Sequence, residues 1–142
     1  MTKQEILESI NKNPAFFLAT IDKDNPRVRG MLLYKADENG ILFHTAVSKD
    51  LYSQVLKNTN AELCFNCSGT QIRISGQLEI VDDNNLKDEI YAHPSRAFLQ
   101  AWKDDGSLGD PYTNLIVFRL KNGVAVTWTM SENFAKKTPI QL

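Results

Sequence analysis

The chain has 142 residues, of which 42% are hydrophobic and 23% charged, so it can bury a core and remain dissolved. Sixteen Lys and Arg against 17 Asp and Glu give a net charge of −1, which excludes a polybasic surface for nucleic acid or anionic membrane. The composition also excludes disordered, fibrous and disulfide-rich chains.

The first residues do not resemble a targeting signal, because MTKQEILESINKN is charged and amphipathic and lacks an apolar run before a cleavage site. No apolar stretch approaches the ~18–20 residues that span a bilayer. We therefore expect a cytoplasmic protein with no membrane partner.

The sequence of the first half of the chain predicts a short helix followed by strands. Thr2 and Glu5 form a capping-box pair at the start of the helix. The next segments predict strands over 16–21, 27–36 and 41–47. Ser48 is then a plausible N-cap for a helix with an apolar stripe at i,i+4 spacing.

The second half predicts two more strands, some helix and a final hairpin. The strands cover 61–67 and 70–81, and helical stretches with a loop over 103–114 follow. The last two strands flank Asn122-Gly123, a strong signal for a hairpin turn. About seven short strands with a few helices favour one domain over 1–142, mainly β (α+β), with an antiparallel closed or partly closed barrel.

Cys64 and Cys67 have C-x-x-C spacing but lie in a predicted strand, where side chains at i and i+3 point to opposite faces. We therefore interpret them as structural thiols. Only His44 and His93 remain to complete a zinc site, and we predict no metal.

Arg27, Arg29 and Met31 share one face of the second strand. Two neighbouring arginines indicate either an anion between them, for which the planar guanidinium suits a phosphate, or pairing with acidic neighbours. Lys49, beside Ser48, is either a solvated side chain or a second cation at a helix start. The polar face of the fifth strand, with Gln71 and Arg73, is likewise either solvated or ligand-facing.

The order and spacing of these motifs resemble the FMN-binding split β-barrel family of pyridoxamine 5′-phosphate oxidase. The chain has Arg29-Gly-Met-Leu-Leu, an Asp37-x-x-Gly40 turn, a strand ending at Thr45, a basic helix start at Lys49 and Gln71-x-Arg-x-x-Gly. The resemblance implies a split β-barrel with peripheral helices, a bound FMN and a homodimer with flavin at the interface.

The resemblance also implies roles for individual residues. Arg29, Lys49 and Ser48 would hold the FMN phosphate. The isoalloxazine would lie against Gly30, Met31 and Leu32. His44 and Thr45 would lie at the ribityl chain or the ring edge, and Gln71 would hydrogen-bond the polar edge of the ring.

The chain departs from the family's oxidases at its C-terminal end, which has NLIVFRLKNGVAVTWTM where the oxidases carry a second flavin- and substrate-binding block. We therefore predict an FMN-dependent oxidoreductase that does not oxidise pyridoxamine phosphate. Its partners would be a small-molecule substrate and NADH or NADPH, and no residue is assigned as catalytic. The alternatives are a non-catalytic flavin-binding or sensing module and a haem- or deazaflavin-binding relative.

Overall fold

The strands form one antiparallel eight-stranded sheet in a computed structural model that describes residues 1–142. The helices and strands in chain order are α1 Lys3–Lys12, β1 Ala15–Asp22, β2 Asn25–Leu32, β3 Lys35–Asp37, β4 Gly40–Ala46, α2 Asp50–Lys57, β5 Asn60–Cys67, β6 Thr70–Ile80, α3 Asn84–Ala92, α4 Ala97–Asp104, α5 Pro111–Asn114, β7 Leu115–Trp128 and β8 Ile140–Gln141. Short 3₁₀ turns cover Pro94–Arg96 and Met130–Glu132. The predicted mainly β fold with peripheral helices is confirmed.

The period-2 alternation of the strands separates a core face from an outer face. In β1, Phe16, Leu18 and Thr20 are buried, whereas Phe17 and Ile21 are exposed. Residues of the core face belong to a cluster of 21 buried residues, which also includes Ile6 and Ile10 of α1. The capping box of α1 is confirmed, because the Thr2 hydroxyl accepts from the Glu5 N–H and the Glu5 carboxylate accepts from the Thr2 N–H.

The two edges of the sheet meet where β2 continues into β3. The strand order is β2-β1-β5-β6-β7-β4-β3, so β2 and β3, which follow one another in the chain, lie at opposite ends of the order. The Leu33 N–H donates to the Pro14 carbonyl and the Tyr34 N–H donates to the Leu42 carbonyl, both at 2.8 Å. The prediction of one strand over 27–36 is therefore wrong, because the chain changes partner here and closes the sheet into a barrel.

The predicted hairpin at Asn122-Gly123 is also wrong. β7 runs unbroken through this dipeptide, and both of its halves pair with β6. The register shifts between Ser75 and Gln77, and Asn122 adopts a φ of 55°. Asn tolerates the left-handed conformation that a bulge requires, so the dipeptide forms a β-bulge here and not a turn.

Gly76 lies opposite this bulge, and a Cβ at this position would come within 2.6 Å of the Lys121 carbonyl oxygen. We expect Gly76→Ala to lower the free energy of unfolding by about 1–3 kcal/mol, because the backbone has to shift. Gly30→Ala is the matched control in a strand, since a Cβ there meets nothing within 4 Å. Urea unfolding of both variants measures the difference, and equal midpoints would contradict this account of the bulge.

Helices α3 and α4 cover the outer side of β4 and β7. A second apolar cluster of six buried residues joins them to the sheet, including Ile90, Leu99 and Val117. The predicted 103–114 loop instead contains the end of α4 and the whole of α5. The buried Lys87 of α3 donates a hydrogen bond to the Tyr112 carbonyl and so links α5 to α3. None of these helices has both the length and the apolar character that a bilayer crossing requires.

Candidate functional site

Arg29 is a partly buried cation with no acidic partner. Its guanidinium donates to the Thr20 hydroxyl at 2.7 Å and to the Gln54 side-chain oxygen at 2.5 Å. Both partners are buried and uncharged. Burial lowers the pKa of Arg29, and the nearby Asp50 carboxylate acts in the opposite direction without forming an ion pair. The guanidinium is thus oriented by neutral groups and its charge is not neutralised.

Arg27, two residues earlier on the same face, behaves differently. It pairs with Asp22 at 3.4 Å, and its side chain is half exposed. Of the two interpretations that the sequence leaves open, pairing with an acidic neighbour is therefore correct for Arg27 but not for Arg29. Of the two arginines, Arg29 is the one available to an anion.

Helix α2 lies beside Arg29, because Gln54 belongs to this helix and the carboxylate of its first residue, Asp50, is close enough to act on the Arg29 charge. The prediction that Ser48 caps α2 is wrong: Lys49 occupies the N-cap position and makes no side-chain capping bond. The first N–H groups of the helix therefore lack a side-chain acceptor and carry a partial positive charge. Lys49 forms no ion pair either. Two cations without acidic partners and an uncapped helix start favour an anionic ligand.

A cavity of about 500 Å³ opens next to this helix start, and we name it the helix-side cavity. Five predicted site residues line it, namely Met31, His44, Thr45, Ser48 and Lys49. Its other wall comes from α4 and the following turn, with Phe98, Trp102 and Leu108. Trp102 is half exposed, so the cavity has an aromatic rim.

A second and larger cavity, of about 1030 Å³, lies on the outer face of the sheet and is named the outer-face cavity. Its lining includes three predicted site residues, Gly30, Leu32 and Gln71. Phe17, Cys64 and Trp128 add to a largely apolar surface. Cys64 and Cys67 are free thiols and lie on opposite faces of β5, as predicted.

The predicted site residues are therefore divided between the two faces of β2. Met31 lines both cavities. Gln71 lies three strands from Arg29 in the sheet order, which alone separates them by about 14 Å across the strands at ~4.8 Å per strand, and it is also three residues out of register with Arg29. The structure brings Ser48, Lys49, His44 and Thr45 together but does not bring Gln71 to them within one chain.

A functional contact that the sequence did not predict involves His44. Arg96, which is 1% exposed, donates from Nε to the His44 Nε2 at 2.8 Å. The same guanidinium donates to the Leu33 carbonyl at 2.9 Å and the Leu32 carbonyl at 3.2 Å, where the barrel closes. Arg96 gave no signal in the sequence, because it lies in a short turn 52 residues from His44.

Burial, followed by the charge of Arg96, lowers the pKa of His44 to about 4. Since a histidine in an unfolded chain titrates near ~6.5, the stability conferred by neutral His44 is complete above that pH and is lost as the pH falls toward 4. We expect up to about 3 kcal/mol to be lost across this window, at about 1.36 kcal/mol per pKa unit.

His44→Gln is the matched variant for this prediction, since its side-chain oxygen still accepts from Arg96 but does not titrate. Urea unfolding between pH 7.5 and pH 4.5 should show a shallower pH dependence for the variant than for the wild type. The acidic groups with lowered pKa, such as Glu79 and Asp110, are common to both proteins and titrate lower. Parallel curves would contradict the assignment to His44.

Comparisons with known proteins show the family to which the chain belongs. The chain matches the family described as pyridoxamine 5′-phosphate oxidase over residues 2–126. It is 31% identical over 96 residues to the pyridoxine/pyridoxamine 5′-phosphate oxidase of Allorhizobium ampelinum, a match that covers 66% of this chain and 47% of that protein. The chain therefore spans about half the length of the curated relatives it matches.

Solved structures show the same fold. A NimC/NimA family protein from Clostridium acetobutylicum superposes with a TM-score of 0.73 at 20% identity, covering 98% of this chain and 92% of that one. A pyridoxamine 5′-phosphate oxidase-related, FMN-binding protein from Nostoc punctiforme has a TM-score of 0.64 at 16% identity, with 99% and 96% covered. The split β-barrel fold that the sequence predicted is confirmed.

Proposed function

Because the chain belongs to the pyridoxamine 5′-phosphate oxidase family, we propose that it binds FMN and serves as a flavin-dependent oxidoreductase of a small molecule. The observation that carries the proposal is the charge of Arg29, held by Thr20 and Gln54 without an acid. An oriented, unneutralised guanidinium beside an uncapped helix start suits a phosphate.

The residues fit the parts of FMN as the resemblance predicts. Arg29, Lys49 and Ser48 would hold the phosphate, and His44 and Thr45 would line the helix-side cavity around the ribityl chain or the ring edge. Bound FMN would supply the electron-transfer chemistry, and the protein would supply placement and electrostatics. This division of roles accords with a site that needs no dedicated acid–base pair.

The outer-face cavity supports a proposed homodimer. Phe17 is 61% exposed and Val28 is 68% exposed, on adjacent strands of the same face. A second copy of the chain that covered this face would bury the patch and bring Gln71 of one protomer toward the helix-side cavity of the other. Gly30, Met31 and Leu32 lie between the two cavities, where the isoalloxazine would pack.

We further propose that pyridoxamine phosphate is not the substrate. The segment NLIVFRLKNGVAVTWTM, which contains β7, differs in sequence from the second flavin- and substrate-binding block that the resemblance to the oxidases leads us to expect. The substrate is then a different small molecule, admitted by the aromatic rim of Phe98 and Trp102.

The test is a visible spectrum of the purified protein, followed by FMN titration and anaerobic mixing with NADH or NADPH. At a hundredfold excess over its dissociation constant, FMN should stabilise the fold by about 2.7 kcal/mol. Loss of the yellow absorption on mixing would support an oxidoreductase. Tight FMN binding without reduction by either donor would indicate a sensing module, and a haem or deazaflavin spectrum would replace FMN as the cofactor.

A further inference from the structure

Arg96 is the most completely buried charged residue of the chain, at 1% exposure, and it takes part in no ion pair. Its guanidinium lies 5.5 Å from the centre of the Tyr34 ring, and it donates to Ser95 and to the two carbonyls at the barrel closure. Its Nε–H donates to His44. A buried charge of this kind is held in one orientation by several hydrogen bonds.

The direction of the Arg96–His44 bond determines where the proton of His44 lies. A guanidinium has five N–H donors and no acceptor, so Arg96 is the donor in every state. The His44 Nε2 must then present its lone pair. A neutral imidazole carries one proton, and this proton is therefore on Nδ1.

The other ring nitrogen of His44, Nδ1, has no hydrogen-bond partner in the chain. The His44 side chain lines the helix-side cavity. Arg119 Nε is the one fully buried side-chain nitrogen or oxygen without a partner, so Nδ1 of His44, which also lacks one, retains some accessible surface. A residue that lines the cavity therefore carries an N–H donor that no protein group uses.

We propose that Arg96 locks His44 in its Nδ1–H tautomer, so that the helix-side cavity offers a permanent neutral N–H donor to an acceptor oxygen or nitrogen of its ligand. Arg96 is in this account a positioning residue, because it acts through His44 and does not line the cavity. The ligand part of the proposal rests on the proposed FMN function, whereas the tautomer does not.

The second histidine supplies an internal reference. His93 Nδ1 accepts from the Ser95 N–H at 3.1 Å, so neutral His93 carries its proton on Nε2. The chain contains 2 histidines, and the structure assigns them opposite tautomers. Long-range ¹H–¹⁵N correlation spectra of histidine-labelled protein at pH 8, without any ligand, distinguish the two forms.

We expect one histidine of each tautomer, and His44→Gln should remove the Nδ1–H pattern and leave the Nε2–H pattern. Two Nε2–H patterns, or an exchanging mixture at His44, would overturn the lock. This measurement needs no FMN. If the chain failed to bind FMN, the proposed function would fall while an observed Nδ1–H tautomer at His44 still supported the lock.

Two variants separate the two nitrogens of the ring. In His44→Gln the amide oxygen replaces Nε2 as acceptor for Arg96, and no N–H remains at the position of Nδ1. In His44→Asn the amide nitrogen takes the place of Nδ1, and Arg96 loses its acceptor. We expect FMN affinity to fall roughly fivefold to tenfold in His44→Gln, as for one lost hydrogen bond, with the fold retained.

In His44→Asn we expect a lower unfolding midpoint, because the bond to Arg96 is lost, and an FMN affinity between those of wild type and His44→Gln, because an amide N–H is still present but is no longer held by Arg96. Unchanged affinity in both variants, with FMN bound by the wild type, would overturn the role of Nδ1 as a ligand donor. A shift of the His44 Nδ1 resonance on FMN addition would support it.

Discussion

Replacing Arg29 with methionine should weaken FMN binding by roughly 10- to 100-fold, as expected for the loss of a charge-assisted hydrogen bond to a phosphate. Methionine keeps the length of the stem but removes the charge that Thr20 and Gln54 orient. These two residues keep their own hydrogen bond of 2.7 Å, so the apoprotein should remain folded. Fluorescence titration of FMN against each variant measures the effect.

Arg27→Met is the matched control, because Arg27 lies on the same face of β2 but is paired with Asp22 at the surface. Its dissociation constant for FMN should stay within about threefold of wild type, since exposed ion pairs contribute little. If Arg27→Met weakens FMN binding as much as Arg29→Met, the effect reflects overall charge and the phosphate site is misplaced.

Replacing Arg96 with methionine should lower the free energy of unfolding by about 3 kcal/mol or more, because buried acceptors lose their donors together. The carbonyls of Leu32 and Leu33 and the Nε2 of His44 would all be left without their present partner. The lost hydrogen bonds lie where the two edges of the sheet meet, so we expect the barrel to open at this place first. Urea unfolding and hydrogen exchange at the Leu33 and Tyr34 amides check both statements.

Arg73→Met is the control for Arg96, since Arg73 is half exposed and pairs with Glu62 at 3.7 Å. We expect its unfolding free energy to stay within about 0.5 kcal/mol of wild type. A loss for Arg96→Met no larger than that of Arg73→Met would mean that the Arg96 hydrogen bonds do not hold the closure.

The helix-side half of the candidate site was predictable because its signals are local. Period-2 alternation placed Arg29 and Met31 on one face, and the start of α2 followed from the apolar stripe of the helix. The predicted N-cap, Ser48, lies one residue before the observed N-cap, Lys49, because the type of a residue does not by itself indicate the backbone position at which a helix begins. The polar face of β6 with Gln71 was also visible in the sequence, but its distance from Lys49 was not.

The errors in the strands have a common cause. The residues around Leu33 and around Asn122-Gly123 have the local preferences of a continuous strand and a hairpin, respectively. The structure that each segment adopts depends on the strand with which it pairs. Around Leu33 the partner changes from β1 to β4, whereas around Asn122-Gly123 the partner is β6 on both sides. Register with a remote partner overrides local turn chemistry.

The alternation of the strands, the capped first helix and the face on which Arg29 lies can be predicted from the sequence alone, because each depends on residues a few positions apart. The resemblance to a family is also visible there, because it depends on the order and spacing of motifs along the chain. The tertiary structure decided that Arg29 has no acid, that the predicted site is divided between two faces of β2, and that Arg96 reaches His44. Those facts depend on contacts between residues 25 to 64 positions apart. Such contacts arise when the whole sheet closes, and no local pattern specifies them.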